Sequence, residues 1–458
     1  MSTSAPPTLD FHRVKPMVVS VDMGYGHLRA ARPLARALGR EVIHVDRPPL
    51  VLPEERRVWE RVRGAYEWTS RVSQIPAIGR PFRWLLDSIT DIPRLHPYRD
   101  LSSPTQGVMA LERLIRRRHL GLGLVTRLKE TQDPLLTTFY SPAIAADRAG
   151  LNNVFCVVTD SDINRVWAPL DPERTSIRYL VPSPRAMRRL RTYGVPAHRI
   201  AFTGFPLPDE LVGGPRLTTL RSHLAARLVR LDPTREFRRW YREELAQFLG
   251  PLPAEEEGKA PLLTFAVGGA GAQVDLARRF LPGFRAAVQE GRFRLALVAG
   301  VRREVADHLR ESVSRAGLDG WLGKGVEILR AVDHEDYFDQ FDELMARTDI
   351  LWTKPSELTF YAALGIPIIF APPVGVHERY NRRWARENGA GLAQRDVSFA
   401  WEWIADWLED GTLAGIAWSG FMRLPKHGLY RILEEVGGGT PDSTEPASPA
   451  DAPRSAAV

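Results

Sequence analysis

Two side chains that could move a proton follow apolar runs in this 458-residue chain. His27 closes the turn Gly24-Tyr25-Gly26-His27, and Asp160 comes at the end of the run NVFCVVTD. A neutral imidazole or a carboxylate at such a place can take the proton of a hydroxyl group. We predict His27 and Asp160 as catalytic residues. A purely structural hydrogen-bonding role for His27 is the alternative.

A glycine-rich turn, Gly268-Gly269-Ala270-Gly271, follows another apolar run and precedes a helical pattern. Glycines allow the backbone to approach a diphosphate closely, and the free amides at a helix start stabilise its charge. The alternative is a tight strand-to-helix turn without a ligand. No Gly-Lys-Ser/Thr follows, which excludes a Walker loop. In the first turn, Arg29 stands where a dinucleotide-binding motif needs its third glycine, which argues against that class.

The stretch Asp160-Ser161-Asp162 has the spacing of a divalent-cation motif, although such carboxylates also cap turns. Backbone amides at a helix start can neutralise a diphosphate without a cation. We therefore expect no metal and no cofactor.

Residues 54–86 interleave aromatic side chains with seven arginines. Aromatic rings favour the headgroup level of a bilayer, and arginines are attracted to anionic lipid. The segment predicts contact with an anionic membrane surface or a lipid acceptor. The alternative is a helical pair packed on its own domain. No nucleic-acid-binding module accompanies these residues, so we expect no nucleic acid partner.

The elements that position these residues form two series in which short apolar runs alternate with helical patterns. This alternation predicts an α/β protein with doubly wound parallel sheets. We predict an N-terminal Rossmann-like domain over 15–210, a helical connection over 211–260, a C-terminal Rossmann-like domain over 261–436, and a disordered tail over 437–458. The runs predicted as strands are 17–22, 41–46, 135–140, 153–160, 177–182, 199–204, 262–269, 293–300, 326–332, 349–354 and 367–372.

The composition is that of an ordinary globular protein, with 44% apolar and 26% charged residues and a formal net charge of +7. One cysteine, Cys156, excludes an intrachain disulfide. No run of about 18 apolar residues occurs. We expect a cytoplasmic protein, either free or peripheral on the inner face of the membrane.

The order of motifs resembles lipid-linked glycosyltransferases of the GT-B fold, especially the mono- and diglycosyldiacylglycerol synthases and the N-acetylglucosaminyltransferase of peptidoglycan precursor synthesis. The resemblance spans about residues 15–395. Its most specific part is TKPSELTFYAALGIPIIFAPPVGVHERYNRRWARENGAG at 353–391. It implies two Rossmann-like domains facing across a cleft. The implied reaction is an inverting, metal-independent transfer of a hexose-type sugar from a UDP-sugar to a lipid or small-molecule hydroxyl.

The resemblance also assigns residues to the two sides of the cleft. His27 and Asp160 would stand on the acceptor side, and the remaining acceptor-side residues are Gly24, Gly26, Asn164 and Trp167. The donor-binding residues are Gly268, Gly269, Gly271 and Gln273 at the glycine turn, Gly300 and Arg302 near the base, then Lys354, Ser356, Glu357, Leu358, Thr359, Glu378 and Asn381.

Three positions depart from the family pattern. Ala362 stands where the family has a glutamate for the ribose hydroxyls, so Glu357 is the candidate replacement. Pro355, Ser356 and Glu357 replace glycines, and Asn164 replaces a histidine of the diacylglycerol enzymes. Two alternatives to a transferase follow: a degenerate protein that binds a nucleotide sugar or lipid, and a nucleotide-sugar epimerase.

Overall fold

The computed structural model describes residues 15–60, 64, 91–266, 273–373 and 375–438. Within these residues the strands form two six-stranded sheets. The first contains β1 Met17–Ser20, β2 Ile43–His44, β3 Leu135–Thr137, β4 Val154–Val157, β5 Arg178–Val181 and β6 Ile200–Phe202. The second contains β7 Leu262–Ala266, β8 Arg294–Gly300, β9 Val326–Arg330, β10 Ile350–Thr353, β11 Ile368–Phe370 and β12 Gly391–Ala393.

Helices separate the strands. The α-helices are α1 Tyr25–Ala37, α2 Gln106–Arg118, α3 Leu122–Thr131, α4 Tyr140–Arg148, α5 Pro184–Thr192, α6 Asp209–Val212, α7 Thr218–Arg230, α8 Glu236–Trp240, α9 Arg242–Leu249, α10 Asp275–Gln289, α11 Arg303–Arg315, α12 His334–Arg347, α13 Val376–Glu387, α14 Ala400–Glu409, α15 Thr412–Arg423 and α16 Gly428–Gly437. The 3₁₀ segments are Arg165–Trp167, Pro172–Arg174, Ala197–Arg199, Ala254–Glu256, Asp319–Trp321, Glu357–Leu364 and Val397–Phe399.

The first sheet is parallel, with strand order β2-β1-β3-β4-β5-β6. Its strands are short apolar runs that are mostly buried, which is usual where helices cover both faces of a sheet. The chain runs from β1 outward to β2 and then returns to place β3 on the other side of β1. The loops after β1 and β3 therefore lie at the point where the strand order reverses, the usual ligand-binding place in such sheets.

The second sheet is also parallel, with order β12-β11-β10-β7-β8-β9. Here the order reverses between β7 and β10, whose ends are in register because Ala266 pairs with Thr353. In sequence, the glycine-rich segment follows β7, and the loop after β10 begins at Lys354. The predicted fold class, two doubly wound Rossmann-like halves of GT-B type, is confirmed.

Two helical regions tie the halves together. The arginine-rich stretch predicted as a connection forms α6 to α9, and Leu224 and Leu228 of α7 lie in the core of the second half. The last helix, α16, instead packs on the first sheet, where Leu429 and Ile432 join the cluster that contains Val18. The domain limits given above stay a prediction.

One strand, β12, is absent from the predicted set. It has three residues, Gly391–Ala393, and pairs with β11 at the edge of the second sheet. All eleven predicted runs contain a strand of the structure. The predicted tail lies outside the described residues from 439 onward. None of the helices in the described ranges is long and apolar enough to cross a membrane.

Candidate active site

His27 lies at the reversal point of the first sheet, in the first turn of α1. Its Nδ1 is 2.8 Å from the backbone oxygen of Thr138, which follows β3. A carbonyl oxygen can only accept, so Nδ1–H donates this bond and the neutral ring carries its proton on Nδ1. The hydroxyl of Thr159 lies 3.3 Å from the same nitrogen and can accept from it as well. The lone pair of His27 therefore lies on Nε2, where it can take a proton.

The surroundings of His27 favour its neutral form. Burial lowers the pKa of His27, and the nearby carboxylate of Asp160 partly opposes this change. Phe139 packs edge-on against the imidazole with ring centroids 4.7 Å apart, and Trp167 lies at 6.4 Å. A neutral imidazole with a fixed tautomer is the form that acts as a general base.

Asp160 is held across the boundary between the two halves. Its Oδ1 accepts a hydrogen bond of 2.9 Å from Nδ2 of Asn381 on α13. The other amide contacts of Asn381 are Ser161 N at 2.9 Å, Ser161 Oγ at 2.7 Å and Pro355 O at 3.3 Å. All four hydrogen-bonding positions of this fully buried amide are therefore used within the protein. Asn381 joins the halves, and a donor contact by it would require one of these bonds to break.

The second carboxylate of the candidate cation motif is used in a different way. Asp162 is fully buried and accepts from Arg189 at 2.8 and 3.0 Å and from Arg185 at 2.8 Å. Its oxygens are thereby occupied by two arginines. The part of the chain that the structure describes contains no group of three or more His, Cys, Asp or Glu residues that could hold a metal ion.

The remaining acceptor-side residues belong to the first half, and Trp167 lies beside His27. Gly24 precedes α1 with a φ of +105°, a conformation that glycine adopts without strain. Trp167 is buried and contacts Tyr140, with ring centroids 5.3 Å apart. Asn164 precedes the 3₁₀ segment that carries Trp167, and its buried Oδ1 has no hydrogen-bond partner among the described residues. The prediction that these residues contact the acceptor stays a prediction.

On the donor side, Lys354 and Glu378 form an ion pair. Nζ of Lys354 lies 2.8 Å from Oε1 of Glu378, whose side chain is 3% exposed. Lys354 follows β10 and Glu378 lies in the first turn of α13, so the pair joins two elements at the reversal point of the second sheet. Ser356 N–H donates to Lys354 O at 2.8 Å, which closes the turn between them.

The other donor-side residues lie at the ends of neighbouring strands and helices. Leu358 and Thr359 are buried in the 3₁₀ segment after Ser356, and Thr359 Oγ1 has no partner in the described chain. Nε2 of Gln273 donates to Pro372 O at 2.7 Å. Gly300 ends β8 and Arg302 immediately precedes α11. These positions agree with the strand ends at which the resemblance puts a nucleotide, but nothing in them tests nucleotide contact.

Glu357 belongs to a contact between the halves that the sequence did not predict. Oε1 of Glu357 accepts from Nε of Arg29 at 3.2 Å, and Arg29 Nη2 donates to Tyr337 Oη at 3.2 Å. The guanidinium carbon of Arg29 lies 4.2 Å from the ring centre of Phe341. A β-carbon on Gly26 would come within 3.1 Å of Glu357 Oε2, so the two loops approach closely.

Two more arginines of α1 extend this contact along α12. Arg32 bonds to Glu335, Asp339 and Asp342, and Arg36 bonds to Asp339 at 2.6 Å. We call the whole set, together with Arg29 and Glu357, the interdomain clamp. It brings the carboxyl-end loops of the two sheets together and leaves His27 beside the boundary. Tyr25 adds to it, with its ring 4.7 Å from that of Tyr337.

Several residues of the predicted site and of the predicted membrane segment lie outside the described residues. Gly268, Gly269 and Gly271 lie outside the described residues, so diphosphate binding by this turn stays a prediction. The aromatic and basic segment 54–86 is described only over 54–60 and at 64. Within that part, Trp59 is buried in the core of the first half and is not available to a membrane.

Sequence reasoning missed the interdomain residues Tyr25, Arg29, Arg32 and Tyr337. In the sequence alone, Arg29 stands out only because it occupies the third glycine position of a dinucleotide-binding motif. A signal was present in the periodic spacing of Arg29, Arg32 and Arg36, which puts three cations on one side of a helix. The acidic partners in α12 lie about 300 residues away in sequence, so the pairing itself could not be inferred.

Comparisons with known proteins give distant likenesses. A family profile described as "Domain of unknown function (DUF6938)" matches residues 318–431, a minority of the chain. No curated protein sequence matches the chain.

Solved structures with a similar course of the chain include the S. aureus protein MnaA with UDP, at 11% identity and a TM-score of 0.46 over 91% of this chain and 94% of that one. The forosaminyltransferase SpnP of spinosyn shows 14% identity and a TM-score of 0.45 over 92% and 100%. The UDP-GlcNAc 2-epimerase from Neisseria meningitidis shows 11% and 0.42 over 88% and 96%. The observed strand order, and not these likenesses, establishes the architecture.

Proposed function

We propose that the protein is a glycosyltransferase that moves a hexose-type sugar from a nucleotide-diphosphate sugar, a UDP-sugar in the first instance, to a hydroxyl group. The observation that carries the proposal is His27. Its Nδ1–H is fixed on Thr138 O and its lowered pKa keeps Nε2 unprotonated beside the boundary between the halves. That arrangement suits the removal of a proton from an acceptor hydroxyl.

In the proposed reaction the acceptor O–H gives its proton to Nε2 of His27 while its oxygen bonds to the anomeric carbon of the donor sugar. The bond from that carbon to the diphosphate oxygen breaks, and the nucleoside diphosphate leaves with the electron pair. Asp160 stabilises the imidazolium that forms, because its charge raises the pKa of His27. Attack from the side opposite the leaving group inverts the anomeric configuration.

The leaving diphosphate needs positive charge or amide donors, since negative charge develops on it. We assign this role to the amides of the turn Gly268–Gly271 and the helix that follows. Lys354 lies at the neighbouring strand end and is already paired with Glu378, so it contributes less than a free cation would. No metal ion is invoked, and the nucleotide sugar is the only co-substrate.

The acceptor in this proposal is a lipid or small-molecule hydroxyl, as the resemblance to lipid-linked transferases implies. Residues 54–86 would then meet an anionic membrane surface on its cytoplasmic side. Sedimentation with anionic vesicles at low and high salt tests this part separately. Salt-sensitive pelleting supports it, and equal absence of the protein from both pellets rejects it.

The test of the reaction uses purified protein with a panel of UDP-sugars, with diacylglycerol vesicles and simple alcohols as acceptors. His27→Asn retains a donor for Thr138 O but has no base, so turnover should fall by about a hundredfold or more. Thr159→Val removes only the longer contact to Nδ1 and is the control, with an expected loss of less than about threefold. Unchanged turnover in His27→Asn would exclude the proposed base.

The pH dependence follows from the lowered pKa of His27. The neutral form is the active one, so kcat/KM should fall as the pH drops through a pKa below the ordinary value of about 6.5. The same assay distinguishes the alternatives. An altered free sugar formed from donor alone indicates an epimerase. Calorimetric binding of a nucleotide without turnover indicates a binding protein. Absence of binding to every nucleotide diphosphate rejects the whole proposal.

A further inference from the structure

A cavity on the outer surface of α13 is lined almost entirely by arginines. It has a volume of about 500 Å³, and its lining residues are Arg379, Arg382, Arg383, Arg386 and Glu387. The four arginines have helical spacings of three and four residues, so they share one face of the helix. Glu378 and Asn381, which take part in the candidate active site, are buried on the same helix, and Glu378 lies one turn before Arg382.

The positive charges in this cavity are poorly compensated. Glu387 is its single lining acid, and it lies 2.6 Å from Arg383 and 3.7 Å from Arg185 of α5. Among the described residues, Arg379, Arg382 and Arg386 form no ion pair. Like charges three and four residues apart destabilise a helix, so three unpaired arginines here carry an energetic cost.

Arg382 shows this crowding most clearly. It is half-buried, whereas the other three arginines are exposed. Burial lowers its pKa, and the adjacent charge of Arg386 lowers it further. An anion bound between Arg382 and Arg386 would offset both causes, because its charge would attract the two guanidinium groups and its oxygens would accept the hydrogen bonds that buried N–H groups cannot make to water.

Contacts to the first half hold α13, the helix that carries the cavity. The ring of Tyr380 lies under the guanidinium of Arg185 at 5.2 Å, and Tyr380 Oη donates to Ile92 O at 2.9 Å. Arg185 is itself anchored on the buried carboxylate of Asp162. The helix that carries the arginines is therefore held at the boundary of the two halves.

We propose that Arg379, Arg382 and Arg386 form an anion site that binds a phosphate-bearing ligand on the outer face of α13, separate from the cleft. The planar guanidinium group offers paired N–H donors that match phosphate oxygens. A phosphate also carries more negative charge and more acceptor oxygens than a single carboxylate, which suits three adjacent arginines. The volume is within the range that holds small ligands. The ligand is a free phosphate compound or the phosphate of a lipid headgroup.

The experiment titrates the full-length protein with inorganic pyrophosphate at low salt by calorimetry. Arg382→Gln combined with Arg386→Gln should weaken binding by at least about tenfold. The control combines Arg221→Gln with Arg285→Gln, two exposed arginines on other helices, and removes the same charge. The pair Arg382→Lys and Arg386→Lys keeps the charge without the paired donors and should give an intermediate loss. Circular dichroism confirms that each variant is folded.

A second arm replaces pyrophosphate by vesicles of phosphatidylglycerol and measures sedimentation. Loss of vesicle binding in the glutamine pair but not in the control identifies a lipid headgroup as the source of the phosphate. Loss of pyrophosphate binding alone identifies a free ligand. Pyrophosphate bound in the cleft would survive the substitutions. If neither probe depends on Arg382 and Arg386, the proposal is overturned, whatever the outcome for the glycosyltransferase reaction.

Discussion

Arg29→Met should weaken the connection between the two halves far more than an exposed substitution would. The Arg29 side chain is 2% exposed, and its partner Glu357 is 12% exposed. Burial alone lowers the pKa of Arg29, but Tyr337, Tyr361 and Glu357 more than offset this, so the group stays charged. Removing one member of a buried ion pair leaves the other charge uncompensated, which costs about 3 to 5 kcal/mol.

Methionine is the more specific replacement because it preserves much of the buried apolar stem of Arg29 and removes only the guanidinium group, which lies over Phe341. The measured loss then reports the charge and its hydrogen bonds. The attraction between a guanidinium and an aromatic face adds up to about 2 kcal/mol at a desolvated site, and methionine loses that as well. We expect the total to lie near the upper end of the stated range.

The assay is a double-mutant cycle by urea unfolding with Arg29→Met, Glu357→Gln and the combination. A coupling free energy of about 1 kcal/mol or more is expected for two groups in direct contact. Arg36→Met is the control, since its side chain is 44% exposed and such pairs contribute at most about 1 kcal/mol. Additive single effects, or an Arg29→Met loss no larger than that of Arg36→Met, would refute the view that this buried pair holds the halves together.

Three other predictions concern neighbouring features. Burial raises the pKa of Asp342 to about 6, although the charges of Arg29 and Arg32 oppose this. The folded state then binds more protons than the unfolded state between about pH 4 and 6, so the free energy of unfolding should fall as the pH rises through this range. Asp342→Asn should flatten this pH dependence in urea titrations. A β-carbon at Gly428 would lie 2.1 Å from Phe205 O, so Gly428→Ala should cost about 2 kcal/mol or more, whereas Gly437→Ala in the same helix meets open space and should stabilise by up to about 1 kcal/mol. Asp160→Asn removes the carboxylate charge that raises the pKa of His27 and should lower that pKa further in an NMR titration; an unchanged value would contradict the electrostatic account of His27.

Local sequence pattern predicted much of the fold because its strands are short, apolar and separated by helical stretches. LLTFA over 262–266 is buried at every position, and such a run has few alternatives to a central strand. The three residues of β12 give no such pattern, since a short edge strand is defined by its pairing with Ile368–Phe370. Strand pairing at an edge depends on tertiary context that a single sequence does not display.

The candidate site was predictable to the extent that it follows strand ends. His27 and Asp160 both come after strands of one parallel sheet, which is why the sequence predicts them at the same sheet edge, and the charge of Asp160 raises the pKa of His27 against the effect of burial. Their catalytic roles stay a prediction. The fixed tautomer of His27 depends on Thr138, which lies 111 residues away in sequence. The role of Asn381 depends on Ser161 and Asp160, which reach it from the other half of the molecule. Contacts of this kind arise only from the packing of the two halves.

Glu357 belongs to the interdomain clamp and is also the residue predicted to hold the ribose of the proposed donor. A carboxylate that holds both hydroxyls of a ribose needs its oxygens free to accept, yet Oε1 of Glu357 already accepts from Arg29 and Oε2 lies against Gly26. The glutamate that holds the ribose hydroxyls in the resembled family aligns with Ala362, which has no carboxylate. If Glu357 takes over that role, the ribose and Arg29 compete for the carboxylate of Glu357. A ligand that takes Glu357 must then weaken the clamp, and by linkage an intact clamp must weaken that ligand's binding by the same factor. A nucleotide that does not contact Glu357 leaves the Arg29–Glu357 hydrogen bond intact and carries no such penalty. An intact clamp would therefore favour a proposed donor whose ribose is held by groups other than Glu357.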